Sequence, residues 1–376
     1  MGVTLRALQT AVPATVLLQE AVRDVFAAQP DLTRLARRIV STSFNMSGID
    51  TRFSVIDELT FDAVDADRRF FDPTTGILLQ PSTKTRNELY IVEGTKLFVE
   101  AGRRALAACE GVEAADITHV VTVSCTGFFA PGPDFMLVRE LGLEASVQRY
   151  HLGFMGCYAS MPALRTAKQF VEADPDAVVL VVSAELCTLH LRSSSDPDTI
   201  VASSLFADGA AAGIVSARPP VAGETAFALD NFETVITPVG EGDMAWKIGN
   251  QGFEVVLSSY VPHIIDEHIE SAIAPLLARE PRLAAAPADA VSHWAIHPGG
   301  RSILDKVESK LGLSEAQLVP ARETLRDFGN MSSATVLFVL KHILDASTAA
   351  DGERVVAMAF GPGLTVETGL MTVLEG

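Results

Sequence analysis

Cysteine is scarce and scattered in this sequence: Cys109, Cys125, Cys157 and Cys187 are the only four in 376 residues, and no two form a CxxC pair. That spacing offers neither a disulfide framework nor a zinc ribbon, and it leaves thiols free to act as nucleophiles. Positive charge is also short, with 29 Lys and Arg against 47 Asp and Glu and a formal net charge of -18. A chain of that sign is repelled by nucleic-acid phosphates and anionic lipid, so neither is an expected partner. No apolar run approaches the roughly 18 to 20 residues that cross a bilayer, and the opening MGVTLRALQT lacks the charged-then-apolar layout of a secretory signal. The expected location is the cytoplasm.

What is present is core material. With 48% hydrophobic and 20% charged residues, the chain can bury one large domain or two fused halves. Short β-branched runs at His119 to Cys125, Ala177 to Ser183, Ala210 to Val215, Val291 to Ile296 and Val355 to Phe360 predict buried strands. Three- and four-residue apolar steps predict helices over Tyr90 to Ala108, Tyr158 to Glu172, Phe253 to Ala274, Ser302 to Leu311 and Ser332 to Leu344. The alternation implies an α/β layered fold. Ser216 to Glu224 (SARPPVAGE) is the best break between halves, placing one at 1–217 and the other at 218–376.

A faint repeat supports duplication. A predicted strand ends at Cys125, and the turn FMGCYAS follows roughly thirty residues later; another ends at His297, and FGNMSSA follows at a similar spacing.

Cys157 stands between the glycine-bearing stretch HLGFMG and a run of good helix formers. A sulfur near a helix N-terminus meets unpaired N–H groups that favour the thiolate, and Gly156 permits the sharp turn that exposes it. The competing reading is a buried, inert cysteine. His297 ends an apolar run immediately before Pro298, Gly299 and Gly300 and is placed to project into a cleft. Asn330, between Gly329 and an apolar helix, is either a helix cap or a neutral donor to a developing oxyanion. Together a thiol, an imidazole and an amide form the parts list for acyl transfer. His263 and His268, with Asp266 and Glu267, do not make a metal site, because five residues of helix turn about 500° and leave the rings roughly 140° apart. The stretch Ala359 to Val373 predicts two strands around a Gly361-Pro362-Gly363 turn able to press backbone N–H groups against a substrate.

Four motifs in order, GFMGCYA, SLFADGAAA, the pair WAIHPGG and FGNMSSAT, and FGPGLTVE, resemble the type III polyketide synthases, the chalcone synthase-like branch of the thiolase superfamily. The resemblance spans nearly the whole chain. Thiolases would place a second cysteine in the last glycine-rich turn, and ketoacyl synthase III enzymes follow their histidine with Gln-Ala-Asn; this chain does neither.

The resemblance implies a duplicated thiolase fold, layered αβαβα with a βαβαβαββ plan in each half, and a homodimer. It implies acyl-CoA and malonyl-CoA as substrates and no metal or redox cofactor. Cys157 would carry the acyl group with His297 as ion-pair partner, and His297 and Asn330 would assist malonyl decarboxylation. Phe206 and Phe253 fall at the family's gatekeeper positions, Cys125, His190 and Ser332 at cavity-lining ones, and Gly361, Pro362 and Gly363 in the substrate-facing turn. The segment Asn45 to Phe53 lacks the lysines that often grip coenzyme A phosphates and retains Arg52 as the candidate contact. TGFFAPG in place of an SGVDMPG-like loop, and a histidine at 190, resemble bacterial members. The expected product is a pyrone, resorcinol or phloroglucinol type. A one-round ketoacyl synthase III-like enzyme, a cysteine hydrolase and a catalytically silent homologue are the alternatives.

Overall fold

The β-branched runs become strands of a single sheet, all in its interior but Val291 to Ile296, which forms one edge. The computed structural model describes residues 2–59, 68–346 and 349–376. Among them nine strands form this sheet: β1 Thr4–Ala11, β2 His119–Ser124, β3 Gln148–Gly153, β4 Val178–Leu186, β5 Asp208–Ser216, β6 Thr225–Ile236, β7 His293–Ile296, β8 Arg354–Gly361 and β9 Thr365–Glu375. Their order is β7-β8-β9-β6-β1-β5-β4-β2-β3. Every residue of β2, β4 and β5 is buried, which explains why these segments read as continuous apolar runs rather than alternating ones.

The order contains the same set twice. From β1, the neighbours β5, β4 and β2 join antiparallel, antiparallel and parallel; from β6, the neighbours β9, β8 and β7 do the same. The two sets meet where β1 pairs antiparallel with β6. The spacing repeat is therefore structural: Cys125 and His297 follow equivalent strands, β2 and β7.

The helices that position the site are α1 Thr95–Ala108, α2 Ser160–Ala173, α3 Pro197–Leu205, α4 Val261–Leu277, α5 Arg301–Leu311, α6 Glu315–Phe328 and α7 Thr335–Asp345. Helix α1 covers one outer face against β1, β4 and β5, while α4 and α6 cover the other against β6, β9 and β7. Between them α2 touches strands of both halves, as does α7. That gives the αβαβα layering, and α2 and α7 share one apolar cluster with α4, α5 and α6. Burying both central helices makes each half the other's solvent shield.

One predicted helix starts too early. Gly252–Leu257 is the second strand of a hairpin with Met244–Gly249, and α4 begins only at Val261. Val255 and Val256 favour the strand, and Pro262 in the first helical turn marks where helix becomes possible. The helix predicted from Tyr90 is one helical run from Thr83, with a π turn at Tyr90–Gly94 before α1.

Candidate active site

The turn that carries Cys157 is built by two glycine requirements. Gly156 has φ +88°, and a Cβ there would stand 2.5 Å from Pro362 Cδ, so the position excludes a side chain twice over. Gly361 approaches the same turn: a Cβ on it would meet the Tyr158 ring and lie 3.5 Å from the Cys157 backbone nitrogen. The Gly-Pro-Gly turn between β8 and β9 thus presses against the cysteine turn, which leads directly into α2.

Cys157, His297 and Asn330 line one cavity of about 430 Å³. Cys125, Ser332 and Pro362 share its wall. Burial pushes the Cys157 thiol up to about 12, against the opposing pull of the Ser332 hydroxyl and the Asn330 amide. Burial likewise drives the His297 imidazole down to about 3. Its backbone N–H is fixed to Met358 O at 2.8 Å, while neither ring nitrogen has a hydrogen-bond partner. Burial thus opposes the thiolate–imidazolium pair implied by the resemblance and favours a neutral thiol and a neutral imidazole in this apolar cavity.

Asn330 fills both of its sequence readings. Its Oδ1 accepts from Ser332 N at 2.9 Å, a local cap, and that fixes Nδ2 on the other side, where it donates to Gly299 O at 3.2 Å and faces the cysteine. Ser332 holds φ +48°, a left-handed conformation that a serine adopts only under constraint, and its hydroxyl lies 3.4 Å from Cys125 Sγ.

Several sequence assignments move. His190 does not line the main cavity. It stacks on Phe253 with ring centroids 4.2 Å apart, accepts the Phe253 N–H at Nδ1 and donates from Nε2 to Thr126 O at 2.8 Å. Burial drives its pKa down to about 3, so it stays neutral and acts as a bracket. Phe253 is correspondingly buried behind the wall, in a small hollow that it shares with Phe206, and only Phe206 also borders the main cavity. Of the glycine turn, Pro362 lines that cavity and Gly361 and Gly363 support it from behind. Arg52 is 0% exposed and cannot meet coenzyme A phosphates at the surface. The cavity's lining instead includes the cation Lys306 on α5 and His263 on α4. His263 is exposed on α4 and also borders the cavity. Lys306 is held loosely, 3.6 Å from Asp266.

Two residues escaped the sequence reading. Trp246, on the hairpin, lines the cavity, donates from Nε1 to Cys125 O at 2.8 Å, and meets His190 and Phe253 edge-on. Glu185 lies in the buried strand β4 and accepts from Cys125 N at 2.9 Å, Thr126 Oγ1 at 2.9 Å, Cys125 Sγ at 3.3 Å and the Ser333 hydroxyl. Its carboxyl is raised by burial, against those hydrogen bonds. An acid inside VVLVVSAEL was the available signal, because buried carboxylates are retained only where partners satisfy them.

Among the described residues no cluster of His, Cys, Asp or Glu has metal-ligating geometry, and no helix is long and apolar enough to cross a membrane.

A thiol at the approach to a central helix, facing an imidazole and an amide from the duplicated half, defines a condensing enzyme of the thiolase fold. Residues 2–219 match the N-terminal domain of the chalcone and stilbene synthases and residues 229–375 match the C-terminal domain, so the chain belongs to that family, the type III polyketide synthases, and is an acyltransferase. Among similar solved structures, PKS-I from the brown alga Ectocarpus siliculosus is 28% identical, with 99% of this chain and 98% of that one covered and a TM-score of 0.90. The C-terminal type III polyketide synthase domain of Steely1, a type I/III hybrid from Dictyostelium, is 29% identical, with 99% of both chains covered and a TM-score of 0.88. The fungal type III polyketide synthase ORAS is 28% identical, with 99% and 100% covered and a TM-score of 0.84.

Proposed function

We propose that this type III polyketide synthase loads an acyl-CoA starter on Cys157, extends it repeatedly with malonyl-CoA, and cyclises the chain to a pyrone, resorcinol or phloroglucinol-type product. The observation that carries the reading is the convergence of Cys157, His297 and Asn330, from three separate segments, on one apolar cavity.

The free imidazole gives loading a general-base form. As Cys157 Sγ attacks the starter thioester, an unpartnered His297 nitrogen takes the thiol proton and returns it to the departing coenzyme A sulfur. The Cys157 N–H, packed against Gly361, is the donor proposed for the developing oxyanion. In extension, the malonyl carboxylate leaves as carbon dioxide and its bonding electrons pass to the thioester carbonyl. His297 and the Asn330 amide donate to the enolate oxygen. The enolate carbon then attacks the Cys157 thioester, freeing the thiolate and leaving a β-ketoacyl-CoA two carbons longer. Return of that chain to the thiolate releases coenzyme A and begins another round. No step changes oxidation state, and neutral donors suffice for the charge that develops, so the reaction needs neither a redox cofactor nor a metal.

Lys306 supplies a cation and His263 a hydrogen-bonding ring for the phosphorylated end of coenzyme A, with its pantetheine arm in the cavity. Among the described residues, strand β3 ends the sheet and exposes Tyr150, an edge suited to a second copy of the chain in a homodimer.

Incubation with a panel of acyl-CoA starters and labelled malonyl-CoA tests the reading. Carbon dioxide release and multiply extended products, both lost in Cys157→Ala, are expected. A single extension would favour the ketoacyl synthase III-like alternative, and hydrolysis without condensation would favour a hydrolase.

A further inference from the structure

The last four carbonyls of a helix need partners from outside it. In α3, which ends at Leu205 immediately before Phe206, each has one. Ala202 O accepts the Phe206 N–H at 3.1 Å, Ser204 O accepts Gln19 Nε2 at 2.8 Å, and Leu205 O accepts the Asn330 N–H at 2.9 Å. Ser203 O accepts Arg52 Nη1 at 2.8 Å, and the same nitrogen donates to Phe206 O at 2.7 Å. One guanidinium nitrogen therefore ties the end of the helix to the backbone of the residue bordering the cavity. Its two hydrogens lie in a fixed plane, which a lysine ammonium does not reproduce.

The catalytic amide is fastened to the same block. Asn330 bridges the backbone on both sides of Phe206, donating to Leu205 O and accepting from Ala207 N, each at 2.9 Å. Gly329, with φ +71°, sits directly on Arg52: a Cβ there would lie 2.8 Å from Arg52 Cγ. The strand that carries Arg52, Thr51–Ser54, also holds the end of α6 before this turn, through Thr51 Oγ1 to Asp327 O at 2.6 Å and Phe53 stacked on Phe328 at 5.7 Å.

We infer that Arg52 is a positioning residue that sets Phe206 at the cavity wall and the Asn330 amide in one registered unit, so that malonyl decarboxylation depends on a guanidinium that never meets substrate. The inference rests on the reaction proposed above. Burial pulls the Arg52 guanidinium down to about 10 against the opposing charge of Asp208, and the Phe44 face lies 5.6 Å from Arg52 Cζ. Loading of Cys157 uses His297 and the cysteine turn, which this unit reaches only through the Asn330 amide, at Gly299 O and at the thiol. Decarboxylation uses Asn330, which it holds directly.

The test compares two single-turnover reactions: acylation of Cys157 by a starter acyl-CoA, followed by intact-protein mass, and carbon dioxide release from malonyl-CoA. Arg52→Gln is expected to slow release about 100-fold, as a displaced donor does, while acylation stays within about threefold. Arg52→Lys, which keeps the charge, should fold readily and recover only part of the loss. Gln19→Ala is the control, since it frees the neighbouring Ser204 carbonyl of the same helix end without touching Phe206 or Asn330. Amide hydrogen exchange at Ala207 and Asn330 should accelerate in both Arg52 variants and not in Gln19→Ala, a readout independent of the chemistry. Equal slowing of both reactions in proportion to lost thermal stability, in Arg52 and Gln19 variants alike, would overturn the inference, as would unchanged release in Arg52→Gln. Absence of malonyl-dependent release in the unaltered protein would instead count against the proposed reaction, and the exchange comparison would still decide the role of Arg52.

Discussion

Cys125 and His297 leave equivalent strands of the two duplicated halves, yet their surroundings give them opposite characters. Beside Cys125, the neighbouring strand β4 presents Glu185, which holds both the Cys125 N–H and its sulfur. Beside His297, the neighbouring strand β8 runs Met358, Ala359, Phe360 and offers only a backbone carbonyl. The first half thus immobilises its strand-end residue, and burial, with the neighbouring carboxylate second, pushes that thiol well above its ordinary range. The second half leaves its imidazole with both nitrogens free to take or give a proton. Duplication supplied two copies of one socket; the adjoining strand decides which copy keeps its side chain free of partners.

Substitution at the two sockets breaks the comparison most sharply. His297→Ala is expected to lower malonyl-dependent carbon dioxide release by about 100- to 10,000-fold, the range for a lost general base or donor, whereas Cys125→Ala should stay within about threefold. Comparable losses at both would show that the sockets are functionally alike.

The protonation state of the second socket can be read from Cys157. With the thiol pushed up to about 12 and His297 down to about 3, the thiolate fraction grows with pH throughout the neutral range. Iodoacetamide alkylation of Cys157 should therefore rise about tenfold per pH unit from roughly pH 7 to 10. A rate already level near neutrality would reveal a preformed ion pair.

The second half also contributes the cation of α5. Lys306→Glu should raise KM about tenfold for malonyl-CoA and leave it unchanged for the malonyl N-acetylcysteamine thioester, which has no phosphates. Asp266→Asn, which releases Lys306, should shift KM the other way. The smallest effect belongs to Trp246, outside both duplicated sets. Trp246→Ala opens the cavity wall, and mass spectrometry should show products longer by about one malonyl unit at little cost in turnover.

Much of this was legible beforehand, for identifiable reasons. Strands buried on both faces announce themselves as unbroken β-branched runs, so β2, β4, β5 and β8 were located closely. Cys157 and His297 were marked by glycine turns near strand ends, and Asn330 by Gly329 at the end of α6. Arg52 was misread because a lone arginine in TRF carries no local sign of burial; only residues about 150 positions away, Ser203 and Phe206, make it an internal tie. His190 and Phe253 were misplaced for a similar reason, since their stacking depends on a hairpin read instead as the start of a helix. Trp246 stands on that same hairpin, so its place in the wall was hidden with it.

The seam between the halves has a consequence for how this chain acquires its shape. Strand β1 pairs with β5 and β6, so Thr4 waits for Ser216 and Ala228. More than half of the polypeptide must be at hand before the strand nearest its beginning gains a neighbour, which is the topology of slow folding and long-lived sticky intermediates. Separating the halves at the SARPPVAGE loop would strip β1 of β6 and expose an apolar sheet edge, so each piece is expected to aggregate alone and to regain solubility when the two are produced together.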